Sequence, residues 1–403
     1  MISKFRIGVL VIILNFFASV AMIWGQDNPS LLQMAVPSLN IAPDARGGMG
    51  DMGAATLPDI NSQYWNAAKY AFMGSKAGVS LSYTPWLRKL VNDVALVNMT
   101  GYYKLGNSDL QAISASLRYF SLGEVNIWEN IGEVPYGLNP YEMAFDVAYS
   151  RKLSESYSMA VTLRYIRSDM GTDQNDESNA GNAFSADISG YLTKEEKEKY
   201  VQNYIEEGDF SGNGSIKIFP VWSFGFNLSN IGSKISYDGG NTNQYLPAKL
   251  TLGTGLLYPI DDYNQIGVYL DLNKYMVPYA PQKEEGETDA DYQTRVDDYK
   301  SWSSLSGMLK SFTDSPNGLL KEIMVSVGAE YSYNQQFFVR GGYFYENANV
   351  GNRKYFSVGA GFRMSVFQLD AAYLISTVPQ NPLDQTLRFS LSFDMDGIKN
   401  LFR

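Results

Sequence analysis

Beyond residue 25 this chain has no run of ~18 uninterrupted apolar residues, so no later segment can cross a bilayer as a helix. It has instead apolar residues at every second position, in stretches of the ~9–11 residues that a tilted membrane strand needs. Ile218, Pro220, Trp222, Phe224, Phe226 and Leu228 form one such face, and Lys217, Phe219, Val221, Ser223, Gly225 and Asn227 the other. Ile323, Val325, Val327, Ala329, Tyr331 and Tyr333 oppose Met324, Ser326, Gly328, Glu330 and Ser332. Phe356, Val358, Ala360 and Phe362 oppose Ser357, Gly359, Gly361 and Arg363, and Leu387, Phe389, Leu391 and Phe393 oppose Arg388, Ser390 and Ser392. A helical period cannot generate this pattern. Strands in lipid must close on themselves to satisfy their backbone groups. The chain therefore reads as all-β, a transmembrane antiparallel up-and-down β-barrel of about 14 strands. The spans are 76–84, 92–104, 109–120, 141–153, 157–167, 183–191, 215–228, 248–257, 265–273, 322–333, 337–345, 354–363, 365–376 and 386–394.

The links between these segments alternate. Leu105–Ser108, Ser154–Ser156 and Asn334–Gln336 are short, whereas Ser121–Pro140, Ser168–Asn182 and Glu346–Arg353 are longer. Outer-membrane barrels carry short periplasmic turns and long external loops in this order. Leu192–Gly214 breaks the alternation, being long where a short turn is due. Its charge run Thr193–Lys199 suits one or two helical turns, either a solvated helix or a periplasmic docking element. The largest external insertion is 274–321, with an acidic stretch, then Tyr292, Tyr299 and Trp302, and a helix expected over Leu305–Phe312. It reads either as a charge-solvated loop or as a protein-contact element, since loops this long are uncommon without a function. Candidate protein-contact residues are Trp128 and Tyr136 in the 121–140 link and Tyr292, Tyr299 and Trp302 in the insertion. Tyr141 and Tyr275, close to strand ends, suit an interfacial aromatic girdle instead.

Residues 1–25 read as a signal peptide: Lys4 and Arg6, an apolar core from Ile7, then small residues at Ser19, Ala21 and Gly25. The alternative is an anchoring helix, which the polar Asn15 and the sequence Gln26-Asp27-Asn28-Pro29 oppose. The chain contains no His and no Cys. That removes Ser-His-Asp chemistry, thiol nucleophiles and most zinc and haem sites. Paired acids such as Asp297-Asp298 lie in the acidic insertion, and no calcium-loop spacing occurs. No enzymatic activity, cofactor or metal is expected. A net charge of −10 without a basic cluster argues against nucleic acid as a partner.

Residues 26–75, ahead of the first strand, look unlike a barrel strand and suit a plug in or near the lumen of a wide barrel. Asp44, Arg46, Gly47, Gly48, Gly50 and Asp51 are its charged, glycine-rich part, where glycines permit close backbone approach or positive φ. Arg46 in a lumen needs a carboxylate partner; at the mouth it would be a solvated turn. Trp65 and Asn66 suit the turn from plug to strand. Residues 76–403 are the barrel.

The pattern Arg-Gly-Gly-x-Gly-Asp-x-Gly followed by Tyr-Trp-Asn resembles the plug region of FadL-like outer-membrane barrels. Within that group the chain resembles the PorV (LptO) family of the type IX secretion system of Bacteroidetes. Pro43-Asp44-Ala45-Arg46, Asn61–Asn66, Tyr119–Gly123 and Tyr141–Asp146 carry the likeness, which covers essentially the whole mature chain. Ala67 stands where the wider group usually has Pro after Trp-Asn. The resemblance implies a non-enzymatic component in the outer membrane of a Gram-negative bacterium, its loops facing the exterior. It implies binding of the C-terminal signal domain of exported cargo, receipt of that cargo from a SprA/Sov-like translocon, and presentation to a PorU-like sortase. Besides these partners and membrane lipid, none is implied. A FadL-like transporter of hydrophobic small molecules is the alternative that plug and barrel suit equally.

Overall fold

The computed structural model describes residues 34–86, 93–106, 109–127, 136–171, 180–195, 220–240, 242–316, 318–364, 366–378 and 383–395. Strands β1 (Ala77–Pro85), β2 (Val94–Leu105) and β3 (Gln111–Leu122) are followed by two short ones, β4 (Val125–Ile127) and β5 (Tyr136–Leu138). Then come β6 (Tyr141–Lys152), β7 (Tyr157–Asp169), β8 (Gly181–Glu195), β9 (Val221–Gly232), β10 (Lys249–Pro259) and β11 (Asn264–Tyr275). The last five are β12 (Met324–Tyr333), β13 (Phe337–Tyr345), β14 (Lys354–Met364), β15 (Phe367–Ser376) and β16 (Leu387–Asp394). All but β4 and β5 form one closed antiparallel barrel in chain order, β3 pairing with β6 and β16 returning to β1. Gly78 faces Asp394 and Tyr83 faces Phe389 across that seam. The barrel has the 14 strands read from the alternation.

The period-two pattern decides which face is which. Phe224 is 50% exposed on the outer wall while its neighbour Ser223 is 2% exposed inside. The same holds for Val358 against Ser357 and for Phe389 against Arg388 and Ser390. An apolar outer wall is a liability in water and suits lipid. Detergent should be needed for extraction, and unboiled protein should migrate differently from boiled protein on gels. Recovery of a folded, detergent-free monomer would refute the barrel in membrane.

Two strand ends differ from the sequence reading. β8 continues through Thr193, Lys194 and Glu195, which pair with Ser223, Trp222 and Val221. These three residues are thus strand and not helix, because a full ladder with β9 outweighs weak local helix preference. The rest of that charge run, and residues 215–219 of the expected seventh strand, lie outside the described residues. β9 runs on to Gly232 through a bulge: register shifts between Ala186 and Ile188, and Asn230 takes φ 59°. The long 121–140 link carries the β4–β5 pair, in which Val125 faces Leu138.

The insertion after β11 holds two helices, α1 (Asp289–Ser301) and α2 (Ser304–Lys310), and a 3₁₀ turn, Leu319–Glu322. α2 is the expected helix, shifted slightly. α1 was not read from the sequence, although its signals are present. Thr288 caps it by accepting from the Asp291 amide at 3.2 Å. Asp289 and Asp291 stand in its first turn and Lys300 in its last, matching the helix dipole.

Candidate functional site

From residue 34 to β1 the chain runs inside the barrel and is bonded to strands all around it. Ser38 donates its amide to Glu142 of β6 at 3.0 Å, and Arg118 of β3 donates to the Ser38 carbonyl at 2.9 Å. Ala45 N–H reaches Ser390 of β16 at 2.9 Å, and Gly50 N–H reaches Ser357 of β14 at 2.6 Å. Asp271 of β11 accepts from the amides of Gly53 and Ala54 at 2.9 and 3.0 Å with one oxygen. On β9, Ser223 donates to the Ala55 carbonyl at 2.6 Å and Asn227 to the Trp65 carbonyl at 3.1 Å. Backbone polar groups buried in a lumen need such partners. The small polar inward residues of the strands supply them.

The glycines act through closeness. Gly50 sits at φ 84°, and a Cβ there would lie 3.0 Å from the Tyr343 carbonyl oxygen. The wall contributes as well: a Cβ on Gly342 would lie 2.2 Å from the Met49 carbonyl carbon, and one on Gly225 only 1.9 Å from the Ala54 oxygen. Gly47 and Gly48 are likewise closely packed, the latter against Ala372 and the Gly359 backbone.

The charged residues of the segment are paired. Arg46 donates to Glu330 of β12 at 3.2 Å and lies 3.6 Å from Asp59. Glu330 is shared with Arg340 of β13, which also reaches Asp370 of β15 at 2.7 Å. Asp51 binds Arg388 of β16 and accepts from the Tyr355 hydroxyl at 2.7 Å. Asp44 accepts from the Arg46 amide at 2.9 Å and from Trp65 Nε1 at 3.0 Å. Burial, with Asp59 nearby, pushes the Asp44 carboxyl up to about 7. Asn66 donates to the carbonyls of Ala54 and Gly190 at 2.8 and 2.9 Å, and its oxygen caps the next 3₁₀ turn at Ala68. Trp65 and Asn66 thus tie the segment to itself and to the wall.

The wall partners Glu330, Arg340, Asp370, Arg388 and Asp271 were not singled out in the sequence, nor was a second network around Arg164. Their signal is a charge at an inward strand position among Ser, Gly and Asn. Glu330, between Gly328 and Ser332, is the plainest case.

Above this packed layer, at the end where the long links gather, a cavity of about 710 Å³ remains. Ile41, Trp86, Phe120, Phe344 and Leu383 form apolar walls, and Asp51, Arg388, Arg353 and Lys249 line it as well. Tyr275 lines it, buried, its hydroxyl accepting from Arg353 at 3.3 Å. The girdle reading of Tyr275 is therefore wrong. β11 extends past residue 273, and Tyr275 shares the inward face with Asp271 and Asn273. Tyr141 stacks on Tyr119 with ring centres 5.5 Å apart and accepts from Arg167 at 3.0 Å.

Of the candidate contact residues, Trp128 lies outside the described residues, and Tyr136 is described only by its backbone pairing with Ile127. The other three are half-buried against their own chain. Tyr292 donates to the Pro281 carbonyl at 3.5 Å. Tyr299 packs edge-on between Tyr245 and Trp302, both at 5.7 Å, and Lys310 Nζ lies 3.8 Å above the Trp302 ring. α1 itself buries no residue, and its Asp289, Asp291, Asp297 and Asp298 are exposed.

Residues 25–283 match the family model described as type IX secretion system protein PorV. The chain belongs to the PorV family. It is a type IX secretion system component of the outer membrane. A search of curated proteins returned no match. Among solved structures the barrel is similar to the toluene transporter TodX of Pseudomonas putida, at 10% identity and TM-score 0.49, over 91% of this chain and 99% of that one. The Ralstonia pickettii toluene transporter TbuX is similar at 12% identity and TM-score 0.45, over 89% and 98%. A Pseudomonas aeruginosa FadL homologue aligns at 13% identity and TM-score 0.41, over 90% and 99%.

Proposed function

We propose that this PorV-family barrel is a non-enzymatic carrier of exported proteins. It binds their C-terminal signal domain at the long-link end, receives them from a SprA/Sov-like translocon and presents them to a PorU-like sortase. In this reading the long-link end faces the cell exterior. The observation that carries it is the family match over residues 25–283. Two features support it. The lumen is filled by a segment bonded to the wall on all sides, which opposes passage through the barrel. The long links collect around one rim, where a folded domain could be held by a composite surface. A hydrophobic transporter is the second reading, and the 710 Å³ cavity with apolar walls is what favours it.

The acidic arm of the insertion is the contact element we would test. Removing residues 282–300 takes away α1 but spares α2 and the rim beneath it. Barrel assembly should be normal, while surface delivery of C-terminal-signal proteins and co-purification of translocon or sortase should fall at least about tenfold, the effect of a ~1.4 kcal/mol contact. Unchanged delivery and capture would remove the arm from the mechanism. Loss of hydrophobic uptake with delivery intact would favour the transporter.

A further inference from the structure

The second half of the insertion folds down over the outside of the barrel. Met308 of α2 packs in a buried cluster with Ala248 and Met276, against Leu228, Ile231 and Leu250. Leu250 pairs with Lys274, and residues paired across strands point to the same side. That side is the outer wall, since Leu252, two positions along, is 50% exposed. α2 approaches closely: a Cβ on Gly307 would lie 2.7 Å from the Tyr245 ring. Beneath it, Lys274 on the outer wall is buried and paired with Glu322 at 2.6 Å, with Phe312 across its Nζ at 5.2 Å. An ion pair on a lipid-facing wall needs such a roof, because acyl chains offer no compensation.

Next to this contact, α2 and the turn after it leave apolar side chains bare. Leu305 is 62% and Leu309 74% exposed, one turn apart, followed by Phe312 at 39%. Leu320, in the turn that supplies Glu322, is 83% exposed. This surface continues the lipid-facing wall: Leu252 lies two strand residues, about 7 Å, from Leu250 under α2. Beside it stands a cluster of Tyr245, Tyr299 and Trp302. Lys234 lies 4.3 Å from the Tyr245 ring, and Lys310 covers Trp302. Aromatic rings and cations in this arrangement mark a membrane–water boundary.

We propose that α2 is an in-plane lipid anchor, with Leu305, Leu309 and Phe312 entering the acyl boundary of the membrane on the β9–β11 side. The anchor fixes the insertion to the bilayer surface and leaves only α1 free above it. The occupant is lipid, since the patch is continuous with the membrane-facing wall and flanked by boundary residues.

The chain's lack of Cys permits a direct test. Full-length Leu305→Cys and Leu309→Cys variants carry an environment-sensitive fluorophore and are reconstituted in phosphatidylcholine vesicles containing a nitroxide-labelled lipid. Leu252→Cys is the lipid-facing reference and Asp297→Cys, on α1, the aqueous one. Labels at 305 and 309 should be quenched by nitroxide lipid within about twofold of the Leu252 reference and be insensitive to aqueous iodide. Iodide quenching without lipid quenching would overturn the proposal. So would protection from both quenchers, which would mean that a second protein or a second copy covers α2. Both positions are exposed, and heat-modifiable migration confirms assembly of each variant.

Discussion

Replacing Arg164 by Met should cost the folded barrel about 3–5 kcal/mol. Arg164, on β7, is buried between two neighbouring strands. Its Nε donates to Asp146 of β6 at 2.7 Å and its Nη2 to Asp187 of β8 at 2.8 Å, while Nη1 binds the Asn230 side chain at the β9 bulge. Ser116 and the Asn230 amide supply further bonds to the two carboxylates at 3.1 and 2.8 Å. Met fills a similar volume but leaves two buried carboxylates with no cation between them. Arg118, the next guanidinium, is turned away, donating to the Ser38 carbonyl and lying 4.7 Å over the Tyr64 ring. Urea unfolding followed by heat-modifiable migration should show the loss. Adding Asp146→Asn and Asp187→Asn to Arg164→Met should recover most of it, because neutral amides do not demand a counter-charge. A single-variant loss below about 1 kcal/mol would show that the network is hydrated and dispensable, and no recovery in the triple would show that unpaired carboxylates are not the cause of the loss.

The second large effect is expected at Gly225 and Gly342. A Val at either position places its Cβ 1.9 Å from the Ala54 oxygen or 2.2 Å from the Met49 carbonyl carbon. Both are backbone atoms of the lumen segment, so no rotamer change relieves the clash and the segment itself must move. The double variant should assemble as a barrel with its N-terminal segment unseated. Trypsin should then cut after Arg46 and Lys69, which are buried in the native protein. Planar-bilayer conductance should rise from near zero to that of an open lumen. Gly341→Val is the control: it faces outward with nothing within 4 Å of a Cβ, and should change stability by no more than about 0.5 kcal/mol. An assembled double variant that resists trypsin and stays non-conducting would refute rigid seating of the segment. The cargo assay separates roles further. Delivery that survives unseating would place the lumen segment outside the transfer mechanism.

The strand number and the two faces of each strand were decided by the sequence itself, because period-two alternation is local and lipid on one side enforces it. Val325, Val327 and Ala329 outward against Ser326, Gly328 and Glu330 inward needs no partner to be read. Strand ends were less determined, since Thr193–Glu195 follow β9's ladder and Tyr275 follows an extension of β11. The N-terminal segment announced glycines and charges, but the partners of those charges came from far along the chain. Arg46 meets Glu330, 284 residues away, and Asp51 meets Arg388, 337 residues away. Such pairs exist only once the seam between β1 and β16 has closed and set the inward registers. The low dielectric of the lumen then selects the pairings that leave no charge alone. The sequence placed a helix near Leu305, and its amphipathic split is local too. That the side carrying Gly307 and Met308 would lie on the outer wall, leaving Leu305 and Leu309 toward the membrane, was decided by tertiary structure alone. It depends on Leu228 and Leu250, paired across β9 and β10, forming the seat for Met308.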